Sequence, residues 1–156
     1  MQDKYLNPFT DFGFKKLFGE EPHKELLISF LNTLLPAKHQ IHDLHYTKNE
    51  QQGTTYIDRK AIFDLSCVSP SGERFIVELQ KAKQNYFKDR SVYYATFPIQ
   101  EQAQRGDWDY KLSAVYTVGI LDFIFDEDRE SKEVVHFVQL KNQNDQVFYD
   151  KLTFIY

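Results

Sequence analysis

The chain has 156 residues, with 19 basic and 23 acidic side chains and a formal net charge of −4. At roughly 150 residues per domain this is one domain, residues 1–156, and 42% hydrophobic against 27% charged residues exclude a disordered or low-complexity chain. The acidic balance and a pI near 5.7 exclude the basic coat that holds nucleic acid nonspecifically, though not a local basic patch.

The first 40 residues have helical patterning. Thr10 or Asp11 can cap a short helix through Leu17-Phe18, which Gly19 ends. Pro22 suits the first turn of a longer helix. Its apolar positions Leu26, Leu27, Phe30, Leu31, Leu34 and Leu35 fall at helical spacing before Pro36 stops it. Residues 41–57 are polar with some alternation, enough for one edge strand. Lys60–Val68 alternates, Ser69-Pro70-Ser71-Gly72 is turn chemistry, and Arg74–Gln80 alternates again. That pattern predicts a β-hairpin. Asn85–Arg105 reads as a helix kinked at Pro98, with Gly106 at its end. Leu112–Phe123, β-branched and aromatic, is the candidate central strand. Val134–Leu140 and Gln146–Tyr156 follow as two more. The expected fold is α/β (α+β), one mixed sheet flanked by helices.

A single cysteine, Cys67, cannot close an internal disulfide and suits a reducing compartment. No apolar run approaches the roughly 18 residues of a membrane helix, and the N-terminus lacks the pattern of a signal peptide. A cytoplasmic, non-membrane protein is expected. Residues 81–93 carry a local excess of base, from Lys81, Lys83, Lys88 and Arg90. Residues 122–133 carry an excess of acid, most simply a solvated loop. His39, His42 and His45 are spaced by three, but Pro36 interrupts the segment and no fourth zinc ligand accompanies them.

Pivoting the hairpin at Ser71 sets Asp64 opposite Glu78, with their side chains on the same face and their Cβ atoms roughly 4.5–5.5 Å apart. Like charges directly opposite each other destabilise a sheet. Here Ile62, Phe63, Leu65, Ile76, Val77 and Leu79 make both arms apolar on both faces, as in a buried strand. A buried carboxylate pair must share a proton or hold a cation. Mg²⁺ takes one or two carboxylates and completes its shell with water and phosphate oxygens, which points to phosphodiester hydrolysis. From spacing alone the alternative stands beside this one: acids in strands usually face solvent, and a one-residue slip would separate the pair. Cys67 alternates to the opposite face from Asp64, as a buried thiol.

The segment Phe63-Asp64-Leu65, turn, Phe75-Ile76-Val77-Glu78-Leu79-Gln80 resembles the D…(D/E)-X-K core of PD-(D/E)XK nucleases. Asp11–Gly19, Leu26–Asn32, Ile57-Asp58-Arg59-Lys60 and Arg90-Ser91-Val92-Tyr93-Tyr94 flank it in order. The set resembles the PD-(D/E)XK nuclease family transposases, the recombination-promoting nucleases of bacteria, over roughly residues 8–125. The resemblance implies a restriction-endonuclease-like fold and a Mg²⁺-dependent (or Mn²⁺-dependent) DNA endonuclease, a hydrolase associated with transposition or recombination. It implies Asp64 and Glu78 as metal ligands with the backbone carbonyl of Leu79 as a third. It gives the final motif position the task of orienting the attacking water. Here that residue is Gln80 rather than lysine. Glutamine can hydrogen-bond a water but brings no charge, so Lys60 is the nearest same-face replacement. A snorkelling strand-end lysine is the equal alternative. Arg90, inside a family motif, suits a phosphate, and Tyr94 could hydrogen-bond toward the site. Asp11 and Lys15 also lie in a family motif, with Asp11 as a helix cap the simpler reading. The resemblance further implies truncation at the C-terminus, and, by analogy with nucleases that cut both strands, a homodimer. The acidic charge and the absent lysine support an alternative, a catalytically silent nuclease-fold module that binds DNA or a protein partner.

Overall fold

The computed structural model describes residues 5–48, 50–51 and 61–156. Thr10 supplies the first cap: its hydroxyl accepts the Gly13 N–H at 2.9 Å at the start of α1 (Asp11–Phe18). Asp11 is therefore not the cap. It sits in the first turn, paired with Lys15 at 2.7 Å, where its charge favours the helix dipole. Gly19 closes the helix onto the Lys15 carbonyl. Pro22 falls in a single 3₁₀ turn, Glu21–His23, that leads into α2 (Lys24–Leu34). The helix stops because Leu35, ahead of Pro36, turns to extended geometry. Leu27, Ile28 and Leu31 form its buried face, while Leu26 stays exposed.

The strands follow as β1 (His45–Tyr46), β2 (Glu50–Gln51), β3 (Ala61–Ile62), β4 (Leu65–Val68) and β5 (Arg74–Gln80). After α3 (Phe87–Gln100) come β6 (Val115–Leu121), β7 (Phe137–Lys141) and β8 (Val147–Ile155). Six of them form one sheet in the order β1-β4-β5-β6-β8-β7, and β2 pairs separately with β3. The β5–β6 and β6–β8 ladders are parallel and the other pairs antiparallel, so the sheet is mixed, as expected, with β6 in its interior.

The hairpin has the anticipated register: Leu65 opposite Val77, Ser66 opposite Ile76, Cys67 opposite Phe75. Gly72, at φ 96°, makes the left-handed position in its turn. The first arm, however, is not one strand from Lys60 to Val68. Ile62 pairs with Glu50 of β2, and the chain bends at Asp64 before rejoining the main sheet at Leu65. The Ile57–Lys60 segment lies outside the described residues. The third helix also ends earlier than the spacing predicts, at Gln100 rather than Arg105. Pro98 is tolerated inside it. The stop comes from Gln102, whose side chain donates to the Pro98 carbonyl at 3.0 Å and accepts the Ser113 N–H at 2.7 Å, tying the helix end to the approach to β6.

Helices α1 and α2 cover one face of the sheet. Phe14, Leu27, Ile28 and Leu31 pack there against Leu65, Cys67, Phe75, Val77, Tyr116, Val118 and Ile155. Cys67 is inside this core, opposite the Asp64 side as expected, and burial pushes its thiol up to about 12. On the other face α3 lays Phe97 and Tyr94 against Phe63 and Ile76. The acidic stretch is more than a solvated loop: Asp126 pairs with Lys83 and Glu127 with Lys88. The three histidines do not converge. His39 bonds the Tyr116 hydroxyl through Nδ1 at 2.7 Å, and no group of three metal-ligating side chains drawn from His, Cys, Asp and Glu occurs among the described residues.

Candidate active site

The site forms where the β4–β5 ladder stops. Leu65–Val77 is its last pair, so Leu79 loses the strand partner its N–H would otherwise have. The Asp64 side chain takes that place, its Oδ2 accepting the Leu79 N–H at 2.7 Å. In return the Asp64 N–H donates to Glu78 Oε1 at 3.2 Å. Each carboxylate is thus fastened to the other acid's strand. Within a strand the N–H and C=O of one residue point to the same side, so the Leu79 carbonyl also turns toward Asp64. Consistent with this, the next carbonyl, that of Gln80, points the other way and accepts the Asp122 N–H at 2.9 Å.

Burial raises the pKa of both acids. Glu78 rises from an ordinary 4.5 to about 7, first through burial and then through the Asp64 charge beside it. Asp64 is raised as well, chiefly by burial, against the pull of the Leu79 N–H and of Lys15. Two cations oppose the repulsion: Arg90 from α3 and Lys15 from α1 act on both carboxylates. Helix α1 reaches the site through Leu65, which lines a shallow groove of about 210 Å³ with Phe12, Lys15, Lys16, Gly19 and Glu20.

The donor set is two carboxylates and a carbonyl, all oxygen, on a strand end where Arg90 and Lys15 offset only part of the repulsion between the acids. That set fits a hard divalent cation better than a soft one. With two acidic side chains only, most of the coordination shell falls to water and substrate oxygens.

Gln80 is buried at 8% exposure. Its Oε1 accepts Arg90 Nη2 at 2.6 Å and its Nε2 donates to the Ala82 carbonyl at 3.0 Å. The other guanidinium branch of Arg90 donates to Gln84 Oε1, and the group lies over the rings of Phe87 and Tyr94 at 5.7 and 5.9 Å. Tyr94 stands edge-on to Phe63 at 5.0 Å. Its phenol is held above its ordinary pKa, first by burial and then by the Glu78 charge.

Asp64, Glu78, Leu79, Gln80, Arg90 and Tyr94 therefore come together, while Lys60 falls outside the described residues. Sequence reasoning did not identify Gln84 or the approach of Lys15. Gln84 stands four positions after Gln80 in a loop, where no periodicity marks it. The signal for Lys15 was its place in an ordered motif, but only the packing of α1 on Leu65 shows where it faces. A third feature was not legible at all: Gly119 of β6 pairs with Glu78, and a Cβ there would stand 3.0 Å from the Phe87 ring.

The family model for PD-(D/E)XK nuclease family transposases matches residues 8–156, and the chain belongs to that family, a nuclease family associated with transposition. Its nucleases generally use divalent metal ions. No curated protein and no solved structure matches the chain. Among the described residues no helix is long and apolar enough to cross a membrane.

Proposed function

We propose that this family member is a Mg²⁺-dependent (or Mn²⁺-dependent) DNA endonuclease that hydrolyses phosphodiester bonds. The observation that carries this reading is the reciprocal bonding of Asp64 and Glu78 across the hairpin, which points two half-buried acids of raised pKa at one place. Asp64, Glu78 and the Leu79 carbonyl would hold the ion. A divalent ion there would acidify a bound water and offset charge on the phosphate. The protein contributes the rest. Asp64 and Glu78 stay fixed because each is tied to backbone, so the site needs little reorganisation on binding. Arg90 and Tyr94 face the same place from α3 and contact the DNA phosphate, and Gln80 holds the wall between them.

The test is nicking of supercoiled plasmid with Mg²⁺ or Mn²⁺. Glu78→Gln removes a ligand charge without changing shape, so cleavage should fall by at least about a hundredfold while the far-UV spectrum stays that of the parent. Undiminished metal-dependent cleavage by a pure Glu78→Gln protein overturns the reading. A silent, binding-only module is the second reading. It is favoured by the neutral Gln80 at the final motif position, whose amide is bonded to Arg90 and to the Ala82 carbonyl. Duplex binding at low salt with no metal-dependent nicking by the parent would select it.

A further inference from the structure

We propose that Arg90, set in position by Gln80, supplies to the phosphate the positive charge that β5 itself does not carry. The inference rests on the nuclease reading above and assigns the cation of that site. Hydrolysis of a phosphodiester builds negative charge on the nonbridging oxygens, and a fixed cation close to them lowers the barrier. Gln80 occupies the strand position two residues beyond Glu78 and on the same face, but an amide is neutral. Its geometry shows what it does instead. The amide is anchored at the nitrogen end by Ala82, and its oxygen is offered to Arg90 at 2.6 Å. Gln84 takes the second branch of the same guanidinium.

Three other cations among the described residues are already committed. Lys15 is paired with Asp11 at 2.7 Å, Lys83 with Asp126 and Lys88 with Glu127. The guanidinium contacts of Arg90 are to amide oxygens, which orient a cation without neutralising it. Two of its five N–H donors are spent in this way, and the planar fork keeps the others for a phosphate. Tyr94 and Phe87 flank the group on the helix and restrict its swing. Gln80 is therefore a positioning residue, and Arg90 the group that touches substrate.

The experiment compares the parent with Arg90→Met, Arg90→Lys, Gln80→Ala and the double variant Gln80→Lys/Arg90→Met. Two readouts are used: plasmid nicking in Mg²⁺, and binding of a duplex oligonucleotide in Ca²⁺ across a NaCl series. Arg90→Met should lower nicking about a hundredfold and reduce the slope of log affinity against log salt by about one. Moving the charge back onto the strand in Gln80→Lys/Arg90→Met should return nicking to within about tenfold of the parent and restore the slope. Gln80→Ala should lower kcat about tenfold with the salt slope unchanged, the signature of a misaimed rather than a missing charge. Arg90→Met that nicks like the parent with an unchanged slope overturns the proposal. So does a folded double variant no better than Arg90→Met in either readout. If the double variant does not fold, Arg90→Lys decides: a slope kept by Arg90→Lys and lost by Arg90→Met supports the proposal, and equal slopes overturn it. A parent that fails to nick defeats the nuclease reading alone, since the salt slopes still report whether Arg90 meets phosphate.

Discussion

On one face of the sheet, Phe75, Val77, Tyr116 and Val118 meet Phe14, Leu27, Ile28 and Leu31 of α1 and α2, and every one of these side chains is buried. On the other face, Ile76 packs in a smaller apolar cluster with Phe63, Phe97 and the half-buried Tyr94, and farther along β5 come Glu78 and Gln80. The first face lowers the free energy of the fold by removing apolar surface from water. The second gives up part of that gain, because it keeps two acids partly out of water with Arg90 and Lys15 offsetting only part of their repulsion. A strand such as β5 serves both faces at once through its alternation, so stability and chemistry are separated by one residue in sequence and by the thickness of the sheet in space.

Truncating the first face should break the fold and leave the chemistry intact. Leu31 is 1% exposed in the centre of the helical layer, so Leu31→Ala should cost about 3 kcal/mol in urea denaturation. Nicking per folded molecule should stay at the parent level. A selective loss of nicking at unchanged stability would show that the two faces are not separable.

The second face should declare itself through pH. Glu78 has its pKa raised from 4.5 to about 7 in the folded, metal-free protein, so the native state holds a proton that the unfolded chain releases. Its contribution is favourable below about pH 4.5, declines as pH rises toward about 7 and is level beyond that. The whole decline is on the order of 3 kcal/mol. Glu78→Gln removes it, so the variant should be the more stable protein at pH 8 in chelator and should show a flatter profile between these limits. Equal slopes for the two proteins in melting experiments would refute the burial of that charge.

Much of the first face was legible in the sequence, because it rests on periodicity: Leu27, Leu31 and Leu34 at helical spacing, Cys67 and Phe75 at strand spacing, Thr10 and Gly19 as caps. The hairpin register was equally legible, since a turn of fixed length sets which residues meet. The opposition of Asp64 and Glu78 followed from it. What no pattern announced was the end of the ladder at Leu65. Apolar alternation runs straight through Phe63 and Ile62, and only the competing partner Glu50 draws Ile62 away. That break matters most, because it frees the Leu79 backbone for Asp64. The end of α3 was hidden for a similar reason: a side chain from outside the helical period, Gln102, captured the turn.

A smaller effect should come from Gly119, which lies beside Glu78 on the α3 face. A methyl group there would stand 3.0 Å from the buried Phe87 ring, and Phe87 opens the helix that carries Arg90. Gly119→Ala gains from a stiffer strand and loses from the crowding, so stability should change by less than about 1 kcal/mol. Nicking should nevertheless fall about tenfold, because displacing the first turn of α3 moves the guanidinium. An unchanged rate would mean that the start of α3 tolerates movement, and that Arg90 adapts to substrate rather than waiting in place.

The smallest effect concerns the residue just before that helix. Tyr86 enters α3 in the left-handed region at φ 62°, a conformation that crowds a Cβ and costs a non-glycine residue roughly 1 kcal/mol. Its ring is 78% exposed, so little packing offsets the strain, yet its carbonyl accepts the Arg90 N–H at 2.9 Å. The strain thus sits on the chemical face, at the point that sets where Arg90 leaves the backbone. Glycine adopts the same geometry without the clash but spends more entropy on folding. Tyr86→Gly should therefore stabilise the protein by only about 0.5 kcal/mol, with nicking within about twofold of the parent. If it instead destabilises the protein, the exposed ring contributes more than its exposure indicates, and the chemical face is less strained than its backbone suggests.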